Sequence, residues 1–304
     1  MSAAPPDFSV SIVSYNTCGL LRACLQSLLD RQADGEASLE ITVADNGSDD
    51  DSVAMVRAEF PGVRVLEMGG NVGFGRANNA ALASARGRFF CLVNSDAEAL
   101  PGSLSQAREY LEAHPNAGAV GGQLQWPDGR KQPSWSRDPT PGSVLAEQLF
   151  LSPQPLPPLS PTGGDVPQIC GAFMVIRADA WRAVGGFDRG YFMYNEDVDL
   201  SLRLRHAGWR VIFLPSIRIT HHLGASSRAD WQTRARMVSA YNASRVYYFS
   251  RHRGPATARR VAWFCLLGTA IRLVGWSLIA VARPAVRDKV RLFREVWRQT
   301  VRQL

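Results

Sequence analysis

Up to Ala113 the chain alternates short apolar, β-branched runs with segments of helical spacing. Few folds accommodate that alternation. Phe8–Tyr15 (FSVSIVSY) reads as a buried strand. Helical spacing follows from Cys18 to Asp30, carried by Leu21, Leu25, Leu28 and Leu29. A second strand is expected over Leu39–Ala44, and a helix over Asp49–Phe60 with acidic residues in its first turn. Val63–Glu67 is a third strand. A turn holding Gly69, Gly70, Gly73 and Gly75 leads into a helix to about Arg86, and Phe89–Val93 is a fourth strand. Pro101–Ala113 then opens a helix with proline early in it. Strands that alternate with helices in this way predict a parallel α/β sheet. Such sheets place their function at the carboxyl ends of the strands. Polar clusters fall there: Tyr15-Asn16, Asp45-Asn46, Asn71 and Asn94-Ser95-Asp96.

Beyond Ala113 the pattern changes. Ala117–Gln123 and Gln168–Arg177 read as strands, and residues 133–167 between them carry 9 of the 18 prolines. This stretch is expected to be a long irregular loop or lid. Short helices are expected at Ala178–Val184 and Asp197–His206, and short strands at Val211–Leu214 and Ile217–Thr220. From about Ser226 the chain reads as helix, which divides it into residues 1–226 and a helical extension, 227–304.

Composition excludes several classes. Hydrophobic residues make up 46% of the chain, enough for a sizeable core and too many for a disordered one. The five cysteines, at 18, 24, 91, 170 and 265, are odd in number and never spaced C-x-x-C. A disulfide framework or zinc site is therefore not expected, and a reducing compartment is. Met1–Asp7 has neither the basic nor the apolar region of a secretory signal. The net charge of +7 suggests nucleic acid or an anionic membrane at first sight. It sits in the tail: residues 251–304 hold 12 basic and 2 acidic residues, so residues 1–250 are net acidic. Nucleic acid is therefore not an expected partner.

Five motifs carry chemistry, and each has a plainer use. Asp96 ends Asn94-Ser95-Asp96 at a strand terminus, where one carboxylate can hold Mg²⁺ or Mn²⁺ that keeps waters and binds substrate phosphate. It could equally cap the next helix. Gly73-x-Gly75 before a helix suggests a dinucleotide fingerprint. It follows the third strand rather than the first, however, and Asn78 takes the third glycine position. The glycines more simply let backbone approach a phosphate or sugar. Asp45, at a strand end before Asn46-Gly47-Ser48, could accept from the N–H of a pyrimidine base or serve an ordinary helix start. Glu196, Asp197 and Asp199 open a helix, as acidic residues often do. The aromatic run Tyr191-Phe192-Met193-Tyr194 before them could also desolvate a carboxylate toward base duty. His221-His222 before Leu223-Gly224 offers a metal or phosphate ligand.

Taken in order, these motifs resemble those of the family-2 glycosyltransferases. They are Tyr15-Asn16, Asp45-Asn46-Gly47-Ser48, Gly70-Asn71-x-Gly73-Phe74-Gly75-x-Ala77-Asn78, Asn94-x-Asp96, Gly185-Gly186-Phe187-Asp188, Glu196-Asp197-x-Asp199-Leu200 and His221-His222-x-Gly224. The bacterial rhamnosyltransferase-like branch, which acts on cell-envelope glycans, looks most similar. The resemblance covers about residues 8–226. It implies a GT-A fold, a Rossmann-like mixed sheet flanked by helices, with a nucleotide-sugar donor, a divalent metal (Mg²⁺ or Mn²⁺) and inversion at the anomeric carbon. Carried over by position, Tyr15, Asn16, Asp45 and Ser48 would hold the nucleoside. Asn71, Gly73, Phe74 and Asn78 would line the donor site, with Asn94 and Ser95 beside it. Asp96 would bind the metal, His221 or His222 would complete the metal or diphosphate site, and Asp197 would be the base, with Glu196 and Asp199 in the same acidic motif. The family's D-x-D signature is Asn94-Ser95-Asp96 here, one carboxylate short. The resemblance suggests rhamnose from a dTDP donor and a glycan or lipid-linked acceptor. A nucleotidyltransferase would also set a metal carboxylate beside such a sheet, but usually shows a basic Gly-rich loop that Ser14–Leu20 lacks. A non-catalytic nucleotide- or glycan-binding protein would keep the fold without needing Asp197.

In the tail, Val261–Ala282 is mostly apolar and nearly long enough to cross a bilayer, with Arg272 at its centre. A helix lying in the interface with Arg272 snorkelling is expected. After Pro284, Val286, Val290, Phe293, Trp297, Val301 and Leu304 recur every 3 or 4 residues, with Arg287, Lys289, Arg291, Arg294, Arg298 and Arg302 mostly between them. This is the pattern of a basic amphipathic helix on an anionic membrane surface. The same stripe could instead pack on the catalytic domain or on a second copy of the chain in a homodimer. The expected place is the cytoplasm, peripheral on the inner face of the membrane.

Overall fold

The structure, a computed structural model, describes residues 4–151, 156, 159–222 and 230–302. It divides into two compact units. One comprises Met1–Arg137, Pro157–Arg189 and Glu196–Ala225, and the other Asp138–Leu156, Gly190–Asn195 and Ser226–Leu304. The helical unit thus takes in two pieces of chain from before residue 227.

The first unit is built on the expected alternation. Phe8–Ser14 (β1), Leu39–Asp45 (β2), Arg64–Glu67 (β3) and Phe89–Asn94 (β4) run parallel in the order β3-β2-β1-β4. Cys18–Ala33 (α1), Ser52–Glu59 (α2) and Phe74–Leu82 (α3) connect them. Ala97–Ala99 forms a short strand (β5) that the sequence gives no sign of, and Ser103–Ala113 (α4) leads to Ala117–Gln125 (β6). Trp135–Ser136 (β7), Pro141–Gln148 (α5), Gly164–Asp165 (β8) and Gln168–Ile169 (β9) follow. Then come Phe173–Arg177 (β10), Ala178–Val184 (α6), Glu196–His206 (α7) and Arg210–His221 (β11). β10 is antiparallel to β4 and β6, and β11 is parallel to β6. The sheet is therefore mixed, and the carboxyl ends of β1, β2, β4, β6 and β11 share one edge.

The continuous apolar run of β4 has a simple cause: both its faces are buried. Phe89, Cys91 and Val93 join Phe8, Val10, Ile12, Leu21, Leu25 and Leu28 on one side. Phe90 and Leu92 join Met174, Ile176, Trp181 and Leu200 on the other. Each such side chain contributes roughly 1.5–3 kcal/mol on burial.

Two sequence expectations are corrected. Val211–Leu214 and Ile217–Thr220 are one strand, β11, whose register on β6 shifts between Leu214 and Arg218. Pro215 has no N–H for the ladder, so a bulge absorbs it. The Pro-rich stretch is also not wholly irregular. Pro141 sits in the first turn of α5, where its missing N–H costs nothing. Thr140 and Ser143 close a reciprocal capping box there, Ser143 N–H donating to Thr140 Oγ1 at 3.0 Å and Thr140 N–H to Ser143 Oγ at 2.9 Å.

In the second unit Trp231–Arg253 (α8), Pro255–Ala282 (α9) and Arg287–Val301 (α10) pack together with α5. A buried Arg245 pairs with Glu147 and stacks 4.0 Å over the Tyr241 ring. Arg272 does not snorkel. Its guanidinium lies 4.3 Å over the Phe150 ring and donates to Gln148 Oε1 (3.2 Å) and to the Gly268 carbonyl (2.9 Å). α5 gives it partners inside the protein, which no spacing rule could reveal. α10 buries Val296 and Thr300, and leaves Trp297 and Val301 of the expected stripe in solvent. Leu304 lies outside the described residues.

Candidate active site

The site is assembled from strand ends. Asp45 closes β2 and is 4% exposed. Its Oδ2 accepts the N–H groups of Gly47 (3.2 Å) and Ser48 (3.0 Å), while Oδ1, buried, has no hydrogen-bond partner among the described residues. A buried carboxylate oxygen without a donor is costly unless a ligand supplies one. Gly47 has φ +84°, and a Cβ there would stand 2.8 Å from the Gly70 Cα. The two loops therefore touch through bare backbone.

Neighbouring predicted residues mostly brace these loops. Asn16, in the left-handed region at φ 55°, donates its N–H to Ser48 Oγ (3.0 Å), and its Oδ1 accepts from the Asp49 N–H (2.8 Å). Tyr15 is exposed beside them. Asn71 Oδ1 accepts from Asn46 Nδ2 (3.0 Å) and the Gly73 N–H (3.1 Å), and Gly73 starts α3. Phe74 packs edge-on against Phe187, ring centres 5.8 Å apart. Asn78 is buried: its Oδ1 accepts from Ser11 Oγ (2.7 Å) and its Nδ2 donates to the Phe74 carbonyl (3.1 Å). That side chain ties α3 to β1. Ser95, also buried, accepts from Thr17 Oγ1 at 2.9 Å and so fastens the β4 terminus to α1.

Asp96 stays partly exposed at the end of β4. His221, the last residue of β11, brings its Nε2 to 3.3 Å from Asp96 Oδ1, and Asn94 Nδ2 stands 3.5 Å from the same nitrogen. The adjacent His222 faces elsewhere, its Nε2 2.5 Å from Glu98 Oε1 on β5. His221 ends β11 and His222 is the first residue beyond it, and the two rings take different partners. No group of three or more His, Cys, Asp or Glu side chains able to enclose a metal occurs among the described residues. One partly exposed carboxylate and one buried imidazole nitrogen suit a cation that keeps waters and takes phosphate oxygens.

Asp197 lies in the first turn of α7. Its Oδ2 accepts from the Gly171 N–H and its Oδ1 from the Val198 N–H, both at 2.9 Å. Burial pushes its carboxyl up, against the downward pull of those N–H groups. Glu196 is buried with Oε2 unpartnered among the described residues. Burial and then the charge of Asp197 hold it well above the carboxylate range. Asp199 instead pairs with Arg203 at 2.6 Å. Just before the motif, Tyr194 and Asn195 hold φ of 70° and 61°, a costly backbone for residues with side chains. Cys170 precedes Gly171, whose N–H reaches Asp197, and Ala172, whose carbonyl accepts from the Asn94 N–H at 3.0 Å. Its thiol is pushed up to about 12, first by burial and further by the charges of Asp197, Glu196 and Asp96. Sequence reading passed over Cys170, Gly171 and Glu98, which lie in no motif.

Comparison with known proteins decides the family. The sequence profile of "Glycosyl transferase family 2" matches residues 9–184. The chain belongs to glycosyltransferase family 2. A profile of "Glycosyl transferase family group 2" also matches residues 159–287. An N-acetylglucosaminyl-diphospho-decaprenol L-rhamnosyltransferase of Mycobacterium tuberculosis is 29% identical over 249 residues, 72% of this chain and 77% of that one. The rhamnosyltransferase WbbL of Escherichia coli K12 is 44% identical over 59 residues, 19% of this chain and 22% of that one. These relatives set this glycosyltransferase in the rhamnosyltransferase branch. In fold it resembles the mannosyltransferase PcManGT of Pyrobaculum calidifontis, solved with GDP-Man and Mn²⁺: TM-score 0.58, 18% identity, 99% of this chain and 88% of that one. The GT-A architecture follows, and the nucleotidyltransferase reading falls away.

Proposed function

We propose that this glycosyltransferase moves rhamnose from dTDP-rhamnose to a lipid-linked glycan acceptor, with inversion and with the help of a divalent cation. The observation that carries the chemistry is that Asp96 meets His221 at the end of β4 while residues 171–172 bond both Asp197 and Asn94, at the strand ends of a family-2 fold. Both relatives are rhamnosyltransferases, which supports the sugar, and the N-acetylglucosaminyl-diphospho-decaprenol acceptor of the mycobacterial one supports the acceptor class.

Asp96 and His221 would hold the cation beside the donor diphosphate. When bound, Mg²⁺ or Mn²⁺ supplies neutralisation of the charge that grows on the leaving diphosphate. The unpartnered Oδ1 of Asp45 accepts from the N–H of the pyrimidine base. The loops at Gly47 and Gly70 let the nucleoside approach backbone. Asp197, as carboxylate, takes the proton of the acceptor hydroxyl while that oxygen forms its bond to the anomeric carbon. The bond from that carbon to the diphosphate oxygen breaks, and its electron pair leaves with the nucleoside diphosphate. Glu196, kept protonated by burial, adds no second charge beside the base.

The apolar face of the second unit supports work at a membrane surface. α9 is long and apolar enough to cross a bilayer, with only 22% of its most apolar window buried. Its outer residues Trp263, Leu267, Ile271, Val274 and Leu278 recur every 3 or 4 positions, so they form one apolar stripe. Arg287, Lys289, Arg291 and Arg294 follow in α10 and suit anionic headgroups.

The test is turnover of a panel of dTDP-, UDP- and GDP-sugars with an N-acetylglucosaminyl-diphospho-lipid acceptor. Release of dTDP and a glycosylated lipid is expected with dTDP-rhamnose. Turnover of no donor, with Mg²⁺ and Mn²⁺ both supplied, would overturn the proposal.

A further inference from the structure

We propose that Gln132 is a positioning residue that fixes which ring nitrogen of His221 carries the proton, leaving Nε2 as a bare lone pair toward Asp96. This rests on the reading of Asp96 and His221 as a cation site.

The chain is folded back to make this contact. After β6, Trp126–Arg130 turns tightly: the Gly129 N–H donates to the Trp126 carbonyl and the Trp126 N–H to the Arg130 carbonyl, both at 2.8 Å. Gly129 holds φ +82° there. Gln132 returns beside β6, its N–H donating to the Leu124 carbonyl at 2.8 Å. Its own carbonyl accepts from Gln123 Nε2 (2.8 Å) and Ser134 Oγ (2.9 Å). β6 pairs in parallel with β11, Gln125 opposite Thr220, so this return lies against the end of β11.

There the Gln132 amide makes two bonds to one residue. Nε2 donates to the His221 carbonyl at 2.7 Å, and Oε1 lies 3.0 Å from His221 Nδ1. Both residues are 4% exposed, so water offers no substitute partner. The first bond decides the second. Turning the amide over would set its oxygen against a carbonyl oxygen, two acceptors with no proton between them. Oε1 therefore faces Nδ1, and an acceptor there requires Nδ1 to carry the hydrogen. The other nitrogen, Nε2, is then unprotonated in the neutral ring and stands 3.3 Å from Asp96 Oδ1, with the Asn94 Nδ2 donor at a long 3.5 Å. A lone pair and a carboxylate oppose each other at the shorter distance. A cation held by both residues would relieve that opposition. Such outer partners orient ligating histidines and raise their basicity. A buried amide is a poor choice for plain packing, since an apolar side chain of that size would need no partners.

Long-range ¹H–¹⁵N spectra of the intact chain, loaded with Mg²⁺ and dTDP, test this first. The His221 ring, identified by its loss in His221→Gln, is expected to be protonated at Nδ1. A ring with Nδ1 bare overturns the proposal. In Gln132→Met the neutral ring is expected to move its proton to Nε2, beside Asp96. Mn²⁺ affinity, read by EPR titration, is expected to fall about 10–100-fold. Gln132→Glu keeps an acceptor for Nδ1–H but sets its second oxygen against the His221 carbonyl, as the turned amide would; it is expected to keep the tautomer and to lose less Mn²⁺ affinity than Gln132→Met. Equal loss in the two variants would mean that the amide only holds the backbone, and the proposal fails. If the Met variant does not fold, the spectra of the parent and Glu chains decide alone. Mn²⁺ binding undiminished in both Asp96→Asn and His221→Gln would instead remove the cation reading. The position of the Nδ1 proton is read independently of that result.

Discussion

Replacing Asp197 with asparagine separates the charge of the proposed base from its shape. In the folded chain each carboxylate oxygen accepts one backbone N–H, from Gly171 and from Val198, at 2.9 Å. Asparagine offers one acceptor and one NH₂, so one backbone N–H meets another donor. That mismatch in a buried setting costs about 1–3 kcal/mol, and each kcal/mol lowers Tm by about 2–4 °C in a domain of this size. The chemistry loses more. A positioned general base contributes roughly 10²–10⁴ in rate, which at about 1.36 kcal/mol per decade is about 2.7–5.4 kcal/mol on the barrier. The assay is kcat for sugar transfer at saturating donor, with dTDP affinity measured by calorimetry on the same sample. We expect kcat to fall by at least the lower figure and dTDP affinity to hold, because Asp45 and the Gly47 and Gly70 loops lie on other elements. A variant that keeps its turnover would remove Asp197 as base. Lost turnover accompanied by lost dTDP affinity would point to collapse of the site rather than to missing chemistry.

Four further outcomes are expected. Burial raises Asp197, and the base must be ionised, so kcat/KM should climb with pH through a titration above the ordinary aspartate value of about 3.9; an acid limb at that ordinary value would contradict the assignment. The same raised carboxyls, Asp197 and Glu196, stabilise the fold most below their unfolded pKa values, and that contribution should be lost as pH rises through the folded ones. Gly87→Ala would press a Cβ to 2.4 Å from the Ser9 backbone nitrogen and disturb the bond from the Gly87 N–H to Ser9 Oγ, so β1 must shift; a loss of about 1–3 kcal/mol is expected in urea melts, and an unmoved midpoint would refute the close approach. Trp263 and Leu278 are 62% and 70% exposed on α9, so changing both to Asp should abolish flotation with anionic vesicles while leaving Tm nearly unmoved; continued flotation would sink the membrane reading.

The parallel half of the sheet was legible because burial on both faces writes itself into the chain as apolar runs. β1, β2 and β4 end within a residue of their expected limits, and their terminal polar clusters line one edge. The antiparallel placement of β10 was not legible, since a buried strand reads the same in either direction. β5 is too short to show a period, and Pro215 split β11 in the sequence because a bulge is invisible to pattern. Side-chain destinations were harder still. Asn78 and Ser95 sit in the expected motifs yet spend their polar atoms inside the fold. The two adjacent histidines look alike in sequence, and only the folded strand end gives His221 to Asp96 and His222 to Glu98. Gln132 falls at the edge of a proline-rich stretch with no periodicity, so nothing local marks it.

The most direct measurement of the central claim is the configuration of the sugar linkage formed from dTDP-rhamnose, read by NMR on the isolated product. A single glycosidic product with inverted configuration is predicted, formed with Mg²⁺ or Mn²⁺ and absent in excess chelator. Retention of configuration, or undiminished transfer in the chelator, would contradict a one-step displacement with Asp197 as base and a cation at Asp96.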